Sequence, residues 1–469
     1  MPRMDTQEVD RVNAVLRRAA LALLVVICAV TLGGAALDQV AIDWIASHAV
    51  PLERVELAAD LEDLRPLAPM LAGARVIGVG EATHGTREFF TVRLRLIDFL
   101  ARELSVHAFA FEFPFGEGLL IDRYVQTGEG DPADVLARVY CPPWNNRETL
   151  EAIEWMRAYN EDRPEAERVS FHGIDMHDGD ANLLADAILA VVADIDPQAT
   201  EAFASRLDAF RYASMYHAAV FTDPDGAGRD ALQWVVDQLA LRKAACVAKT
   251  SLAEYEETLH CAELLLQRAE VYGVGAADPE AGNDLRDRYM ADNVVWLLES
   301  LPKGGKVMLG AHNFHVGRFL RLSSLLGAGT APRTSAGWHL GERLGDGYVV
   351  VGTMTVTGEL AVFPFPGGRR EQYTVESLPR TPYDAHATLF RATGIAAFLL
   401  DLRAASQGAP ETQWMFEERP LLQVGTMLIP SIRDSYLVYT PLRPCFDLIA
   451  YIETTGAPTM LPWVPKDDL

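Results

Sequence analysis

A chain of 469 residues, 49% of them hydrophobic, is long enough for one large domain with elaborations or for two to three smaller ones, and it is too apolar to be disordered. The formal net charge of −24, with a pI near 4.8, argues against nucleic acid and anionic membrane surfaces as partners, since either demands basic patches. Arg369 and Arg370 form no such patch and read as isolated loop charges.

In chain order, the first element is an apolar run from Ala19 to Leu37 without a charged residue, preceded by Arg3, Arg11, Arg17 and Arg18. Its length falls between the core of a cleaved signal peptide and a membrane-spanning helix. Gly34-Ala35-Ala36 suits a signal peptidase, so cleavage and anchoring are both open, with a buried helix of a soluble protein as the other reading, and residues 1–38 are set apart from a body of residues 39–469. The arginines before the run and Asp38 after it predict a cytoplasmic N-terminus with the bulk of the chain outside, membrane-anchored or secreted.

The next signal is Arg75 to Phe89. Val76, Ile77 and Val79 read as a buried parallel strand, Gly80 and Gly85 supply a tight turn, and Thr86 begins a helix running through Leu100. Glu81 and His84 therefore fall in a strand-to-helix loop, the place where open α/β sheets bind ligands. Three more strands follow the same pattern. Val106 to Phe113 carries Glu112, a carboxylate that is costly in an aromatic run without a partner. Val169 to Asp175 ends in Asp175 and then His177, and Lys306 to Gly310 runs into Ala311-His312-Asn313-Phe314-His315. Helical stretches such as Thr86 to Leu104 and Glu148 to Asn160 lie between them. The fold class is therefore α/β, a parallel-sheet core with helices on both faces. All four tips then share one edge, and one cleft gathers Glu81, His84, Glu112, Asp175, His312 and His315.

Between the third and fourth strands, residues 181–272 show helical spacing without strand signals and read as a helical insertion subdomain. Phe210, Tyr212, Tyr216 and Phe221 there either line a substrate entrance or simply pack. After His315 comes a small β-containing part: Tyr348 to Pro366 reads as a hairpin with Gly358 in its turn, and Phe446 to Glu453 as a late strand. The cysteines Cys28, Cys141, Cys246, Cys261 and Cys445 show no metal spacing; a Cys246–Cys261 pair is conceivable in an exported protein, with free buried thiols the expected state.

Several motifs resemble, in order and spacing, those of the erythromycin esterase family: Gly80-Glu81-Ala82-Thr83-His84-Gly85-Thr86-Arg87-Glu88, Phe111-Glu112, Trp144-Asn145-Asn146 with Trp155-Met156-Arg157, Gly173-Ile174-Asp175-Met176, Arg286-Asp287 with Met290, and Ala311-His312-Asn313-Phe314-His315-Val316-Gly317. The resemblance runs from about Ile42-Asp43-Trp44 to Tyr451-Ile452. It implies hydrolysis of a carboxylic ester, in the macrolide-inactivating members a macrocyclic lactone, by water, with no metal, no other cofactor and no covalent acyl-enzyme. No Gly-x-Ser-x-Gly elbow occurs, so a base must activate the water. His84, a loop imidazole near a helix N-terminus and so expected neutral at pH 7, is the candidate, as is the matching histidine of the family. By the same resemblance Glu81 and Glu112 are its paired carboxylates, and His312 and His315 donate to the oxyanion or protonate the leaving alkoxide. Arg286, Arg93 and Asp175 are candidates for charge balance and substrate contact. The implied partner is a small-molecule ester or lactone, and antibiotic resistance is the role of the family's named members.

Other readings stand beside these. Glu81 and His84 could cap the following helix, Glu112 could pair with Arg286 for structural reasons, and His312 and His315 could be ordinary strand-end histidines. Three histidines and two carboxylates also resemble the ligand set of a divalent transition metal, which would make the chain a metal-dependent hydrolase or a metal-binding envelope protein. A further alternative keeps the fold but takes a non-macrolide envelope ester. Two departures bear on substrate: the soluble macrolide esterases have no such apolar N-terminal run, and Leu309-Gly310 stands where the family often carries a tryptophan.

Overall fold

The structure is a computed structural model that describes residues 38–56, 60–139, 144–177, 179–211, 227–318, 334–363 and 373–463. The N-terminal apolar run with Cys28, and Cys141, Tyr212, Tyr216, Phe221, Arg369 and Arg370, lie outside the described residues.

Eleven strands are present among the described residues: β1 Val50–Pro51, β2 Val76–Glu81, β3 Val106–Pro114, β4 Ser170–Asp175, β5 Lys306–His312, β6 Tyr348–Val362, β7 Thr374–Ser377, β8 Ala397–Asp401, β9 Arg419–Leu422, β10 Leu437–Thr440 and β11 Leu448–Thr455. Nine of them form one sheet in the order β1-β8-β11-β6-β2-β5-β3-β4, with β7 paired to β6, while β9 and β10 form a separate ribbon. The run from β11 to β4 is parallel throughout. β8, β1 and β7 add antiparallel edges, so the sheet is mixed and mostly parallel. At its centre β2 is buried along its whole length, as a strand covered by helices on both faces must be, which is why it reads as a nearly unbroken apolar run.

Helix α1, Arg87–Leu104, follows β2, and α2, Phe115–Thr127, follows β3. α3, Arg147–Asn160, returns the chain to β4; Asn146 caps it by accepting from the Thr149 N–H at 2.7 Å, which explains one residue of the Trp144-Asn145-Asn146 motif. α1 and α3 bury Phe89, Leu96, Phe99 and Ile153 against one face of the sheet. Between β4 and β5 come α4 Ala181–Ile195, α5 Thr200–Arg211, α6 Ala227–Leu241, α7 Lys243–Lys249, α8 Leu252–Ala277 and α9 Pro279–Ser300. Most buried apolar residues of α4, α5, α6, α8 and α9, with those of α10 Ala336–Leu344, belong to the core on the other face. Phe210 is part of that core. α9 begins sharply because Asp278 accepts from the Glu280 and Ala281 N–H groups and Pro279 needs no partner at N1.

One expectation is overturned. The stretch expected to be a hairpin turning at Gly358 is a single 15-residue strand, β6, which pairs with β2 and β11 inside the main sheet. Gly358 lies within it at φ +140°, and a Cβ there would overlap the Thr455 carbonyl of β11. The glycine marks a close backbone approach, and the antiparallel partner β7 arrives only at Glu359–Val362. Cys246 and Cys261 are buried free thiols, so they do not pair with each other, and Cys445 is buried as well. Among the described residues no helix is long and apolar enough to cross a membrane.

Candidate active site

Parallel pairing of β2, β5, β3 and β4 brings Glu81, His84, Glu112, Asp175, His312 and His315 to one edge of the sheet. Glu81 is the last residue of β2 and fully buried. Its Oε1 lies 2.6 Å from His84 Nδ1, and its Oε2 accepts from Arg93 Nη2, two turns into α1, at 2.5 Å. The loop that carries His84 is fixed by backbone bonds: Ala82 N–H donates to Thr353 Oγ1 at 2.8 Å, Val424 N–H to the Ala82 carbonyl at 2.8 Å, and His84 N–H to the Val424 carbonyl at 3.3 Å. Thr86 caps α1 without a side-chain bond to it, and Glu81 and His84 bond each other, so neither acts as the helix cap.

A second cluster forms around Glu112. Its Oε2 accepts the His312 backbone N–H at 2.9 Å, and its Oε1 meets both Arg286 Nη2 at 3.2 Å and His315 Nε2 at 3.1 Å. Arg286 also grips Asp175, with Nε 3.1 Å from each carboxylate oxygen and Nη2 2.5 Å from Oδ2. His315 Nδ1 lies 2.7 Å from Asp287 Oδ1, which accepts the Ala336 N–H as well. The two clusters meet at the imidazoles: the ring centroids of His84 and His312 are 4.9 Å apart.

Electrostatics gives two of the histidines, His312 and His315, opposite states. Burial pushes His312 down to about 3, and the neighbouring His84 and His315 push the same way. His312 is thus neutral, and because its Nδ1 accepts the Phe314 N–H at 3.2 Å, its proton is on Nε2, a buried atom without a hydrogen-bond partner among the described residues. Burial also opposes charge on His315, but Asp287 and Glu112 outweigh it and raise the imidazole to about 10. His315 is an imidazolium held between two carboxylates. Burial would raise both glutamates; Arg93, then His84 and His312, hold Glu81 below its ordinary value, and His315, then His84 and Arg286, hold Glu112 well below. With Glu81 ionised, His84 Nδ1 is the donor in the contact between them.

Most of the ring nitrogens are committed to partners within the protein. His84 and His312 each spend Nδ1 on an internal bond, and His315 spends both nitrogens on carboxylates. Among the described residues no three His, Cys, Asp or Glu side chains are arranged to hold a metal ion. His177 stands apart from the imidazole cluster: its backbone N–H bonds Asp175 Oδ1, and its ring meets Tyr272 edge on. Three contributors escaped sequence reasoning. Asp287 had a signal, a carboxylate beside Arg286 in a helix, but nothing in spacing tells that it reaches His315. Thr353 and the Val424 carbonyl come from a strand and a loop remote in sequence and carry no local signal.

The fold and this constellation define a hydrolytic α/β enzyme: a carboxylate-bound imidazole beside a neutral imidazole, within a buried ion-pair network, is suited to activating water. Residues 102–455 match the family model for erythromycin esterase, and the chain belongs to that family. The matched span holds Glu112, Asp175, Arg286, His312 and His315 and begins after Glu81, His84 and Arg93, which the fold carries to the same edge. Erythromycin esterase type II of Escherichia coli is 26% identical over 339 residues, 68% of this chain and 78% of that protein. YbfO of Bacillus subtilis (strain 168), named as a candidate hydrolase, is 24% identical over 294 residues, 58% of this chain and 63% of that protein. Among solved structures, a succinoglycan biosynthesis protein superposes with a TM-score of 0.77 at 25% identity, covering 90% of this chain and 98% of its own. A Bacillus cereus protein gives 0.79 at 24% identity, covering 91% and 99%. An open-conformation histidine-to-asparagine mutant of the erythromycin esterase EreC gives 0.64 at 17% identity, covering 86% and 97%, a likeness of fold.

Proposed function

We propose that this protein hydrolyses a carboxylic ester by direct attack of water, with His84 as general base and without a covalent intermediate. The observation that carries the reading is the 2.6 Å contact of His84 Nδ1 with a Glu81 that Arg93 keeps ionised, which leaves Nε2 as the basic nitrogen. Nε2 takes a proton from water as the oxygen attacks the ester carbonyl carbon. The oxyanion accepts from His312 Nε2–H, an atom beside the His84 ring with no hydrogen-bond partner among the described residues. The imidazolium of His84 then returns the proton to the leaving alkoxide as the carbon–oxygen bond breaks, giving acid and alcohol. Glu81, Glu112, Asp175 and Asp287 bring four negative charges against three positive ones on Arg93, Arg286 and His315, so the transient His84 cation neutralises the cluster. His315, clamped at both nitrogens, is a fixed charge and not the proton donor.

A macrocyclic lactone is the substrate favoured by the named macrolide esterases among the relatives. An acylated polysaccharide is the second reading, favoured by the neighbour described as a succinoglycan biosynthesis protein and by an apolar run at residues 19–37 that would place the enzyme outside the cytoplasm. The deciding experiment is hydrolysis of macrolides and simple acyl esters followed by mass spectrometry, with a single turnover in ¹⁸O-water. The expected result is one solvent oxygen in the acid product on the first turnover, undiminished by chelator, and a drop of about 10² to 10⁴ fold in His84→Ala. Unlabelled acid in the first turnover would mean a carboxylate nucleophile, and loss with chelator would revive the metal reading.

A further inference from the structure

After β11 the chain leaves the sheet and runs across the starts of α1 and α3, where it is held twice in the same way. At α1 the Arg87 N–H donates to the Gly456 carbonyl at 2.9 Å, and the Gly456 N–H donates to Glu88 Oε2 at 2.7 Å. At α3 the Arg147 N–H donates to the Thr459 carbonyl at 2.8 Å, and the Thr459 N–H donates to the Glu148 carboxylate, 3.2 Å from Oε1 and 3.1 Å from Oε2. One dipeptide, Arg-Glu, thus opens both helices and makes the same two-way bond with the strap. The first N–H groups of a helix have no partner inside it, and a buried carboxylate is costly without donors. Each clasp answers both needs at once. Glu88 also accepts from the Arg87 guanidinium at 2.7 Å, so Glu148 depends more on its clasp.

Only Ala457-Pro458 separates the clasped residues. Proline fixes its own φ and keeps the residue before it extended, so this spacer is stiff and spans at most about 10 Å. Past it, Asn146 bridges Met460, the Leu461 N–H donates to the Asn145 carbonyl at 2.9 Å, and Asn145 Nδ2 donates to the Leu461 and Pro462 carbonyls at 3.2 and 3.1 Å. The strap therefore fixes one helix start against the other. What it fixes is part of the site: His84 stands three residues before Arg87, and Trp144 three before Arg147. Their rings meet edge on with centroids 6.2 Å apart, and the Trp144 ring stacks on Phe113, the neighbour of Glu112.

We propose that residues 456–461 are a spacer that seats Trp144 against His84 and so holds the imidazole in line for the attacking water, with Glu88 and Glu148 as positioning residues. It rests on the reading of His84 as the base for its effect on turnover; the seating of the ring follows from the clasps themselves.

The test inserts two glycines between Pro458 and Thr459, which keeps every clasp residue and frees the spacing, alongside Glu148→Ala and Glu148→Gln. Ester turnover is measured together with ¹⁵N spectra of histidine-labelled protein, in which the His84 signals are those that vanish in His84→Ala. In the insertion and in Glu148→Ala, kcat should fall by about 10 to 100 fold with KM within about twofold, because misplacing a reacting group costs turnover more than binding. The His84 signals should move in both. Glu148→Gln keeps an acceptor for the Thr459 N–H and should restore kcat and signals alike. Wild-type kcat in either folded variant, a fall in kcat with the His84 signals unmoved, or an equal loss in Glu148→Gln overturns the proposal. His84 signals that move in the variants of a protein that cleaves no ester uphold the strap and sink the esterase reading alone.

Discussion

Three histidines on one sheet edge differ through their second nitrogens. His84 gives Nδ1 to an ionised carboxylate, His312 gives Nδ1 to a backbone donor, and His315 gives both nitrogens to carboxylates. The residue types and positions were legible in the sequence because strand tips with carboxylates and imidazoles are conspicuous. Their protonation states were not, since those depend on Asp287, Phe314 N–H and Arg93 reaching particular atoms. Replacing His312 by Phe keeps an aromatic ring and deletes the Nε2–H donor, so kcat should fall by about 10² to 10³ with KM little changed, measured by steady-state kinetics. A KM effect alone would move His312 from the oxyanion to substrate binding. For His315 the folded value near 10 lies above the ordinary 6.5, so its stabilisation is whole below about pH 6.5 and is lost as pH rises through 10. Denaturant unfolding from pH 6.5 to 10 should show stability falling by about 1.4 kcal/mol per pH unit more steeply in the wild type than in His315→Gln. Equal slopes would mean that the ring is not an imidazolium in the fold.

At the scale of elements, the site depends on how β2 and β6 separate while β2 and β5 stay paired to Glu81 and His312. β2 and β6 stay in register only as far as Val79 and Val351. Beyond that point the Asn313 carboxamide enters between them, with Nδ2 donating to the Thr353 carbonyl at 2.9 Å and Oδ1 accepting the Thr353 N–H at 3.1 Å. It lies over Gly80, where a Cβ has no room. Since Thr353 Oγ1 also accepts from Ala82, one residue ties the His84 loop and the His312 motif to the same strand. Thr353→Val keeps the shape and leaves the Ala82 N–H unpaired, which should lower kcat by about 10 to 100 fold through misplacement of His84, while Thr353→Ser should restore it. Loss in both variants would point to packing. The four strands bearing the site were readable from sequence because buried parallel strands are short apolar runs bounded by turns. β6 was not, because Gly358 serves a close approach to β11 that involves residues about a hundred positions away, and a glycine between two apolar segments looks the same in either case.

For the whole molecule, the acidic surface and the N-terminal run make opposite demands. A net charge of −24 disfavours anionic lipid as a partner of the body, whereas the apolar residues 19–37 suit insertion into a membrane. We propose that this run exports the body and leaves the site outside the cytoplasm. Arg17 and Arg18 on one side and Asp38 on the other give the orientation, since positive charge stays on the cytoplasmic face. Leu24→Arg with Val26→Arg should disable the run, because each charge at its centre costs about 2.5 to 3.5 kcal/mol on insertion scales. An alkaline phosphatase reporter fused after residue 48 should be active with the natural run and inactive with the double substitution. A reporter inactive in both would return the enzyme to the cytoplasm, where a macrolide remains a reachable substrate and an envelope polysaccharide does not. The reporter thus separates two substrates that the chemistry of the site alone treats alike.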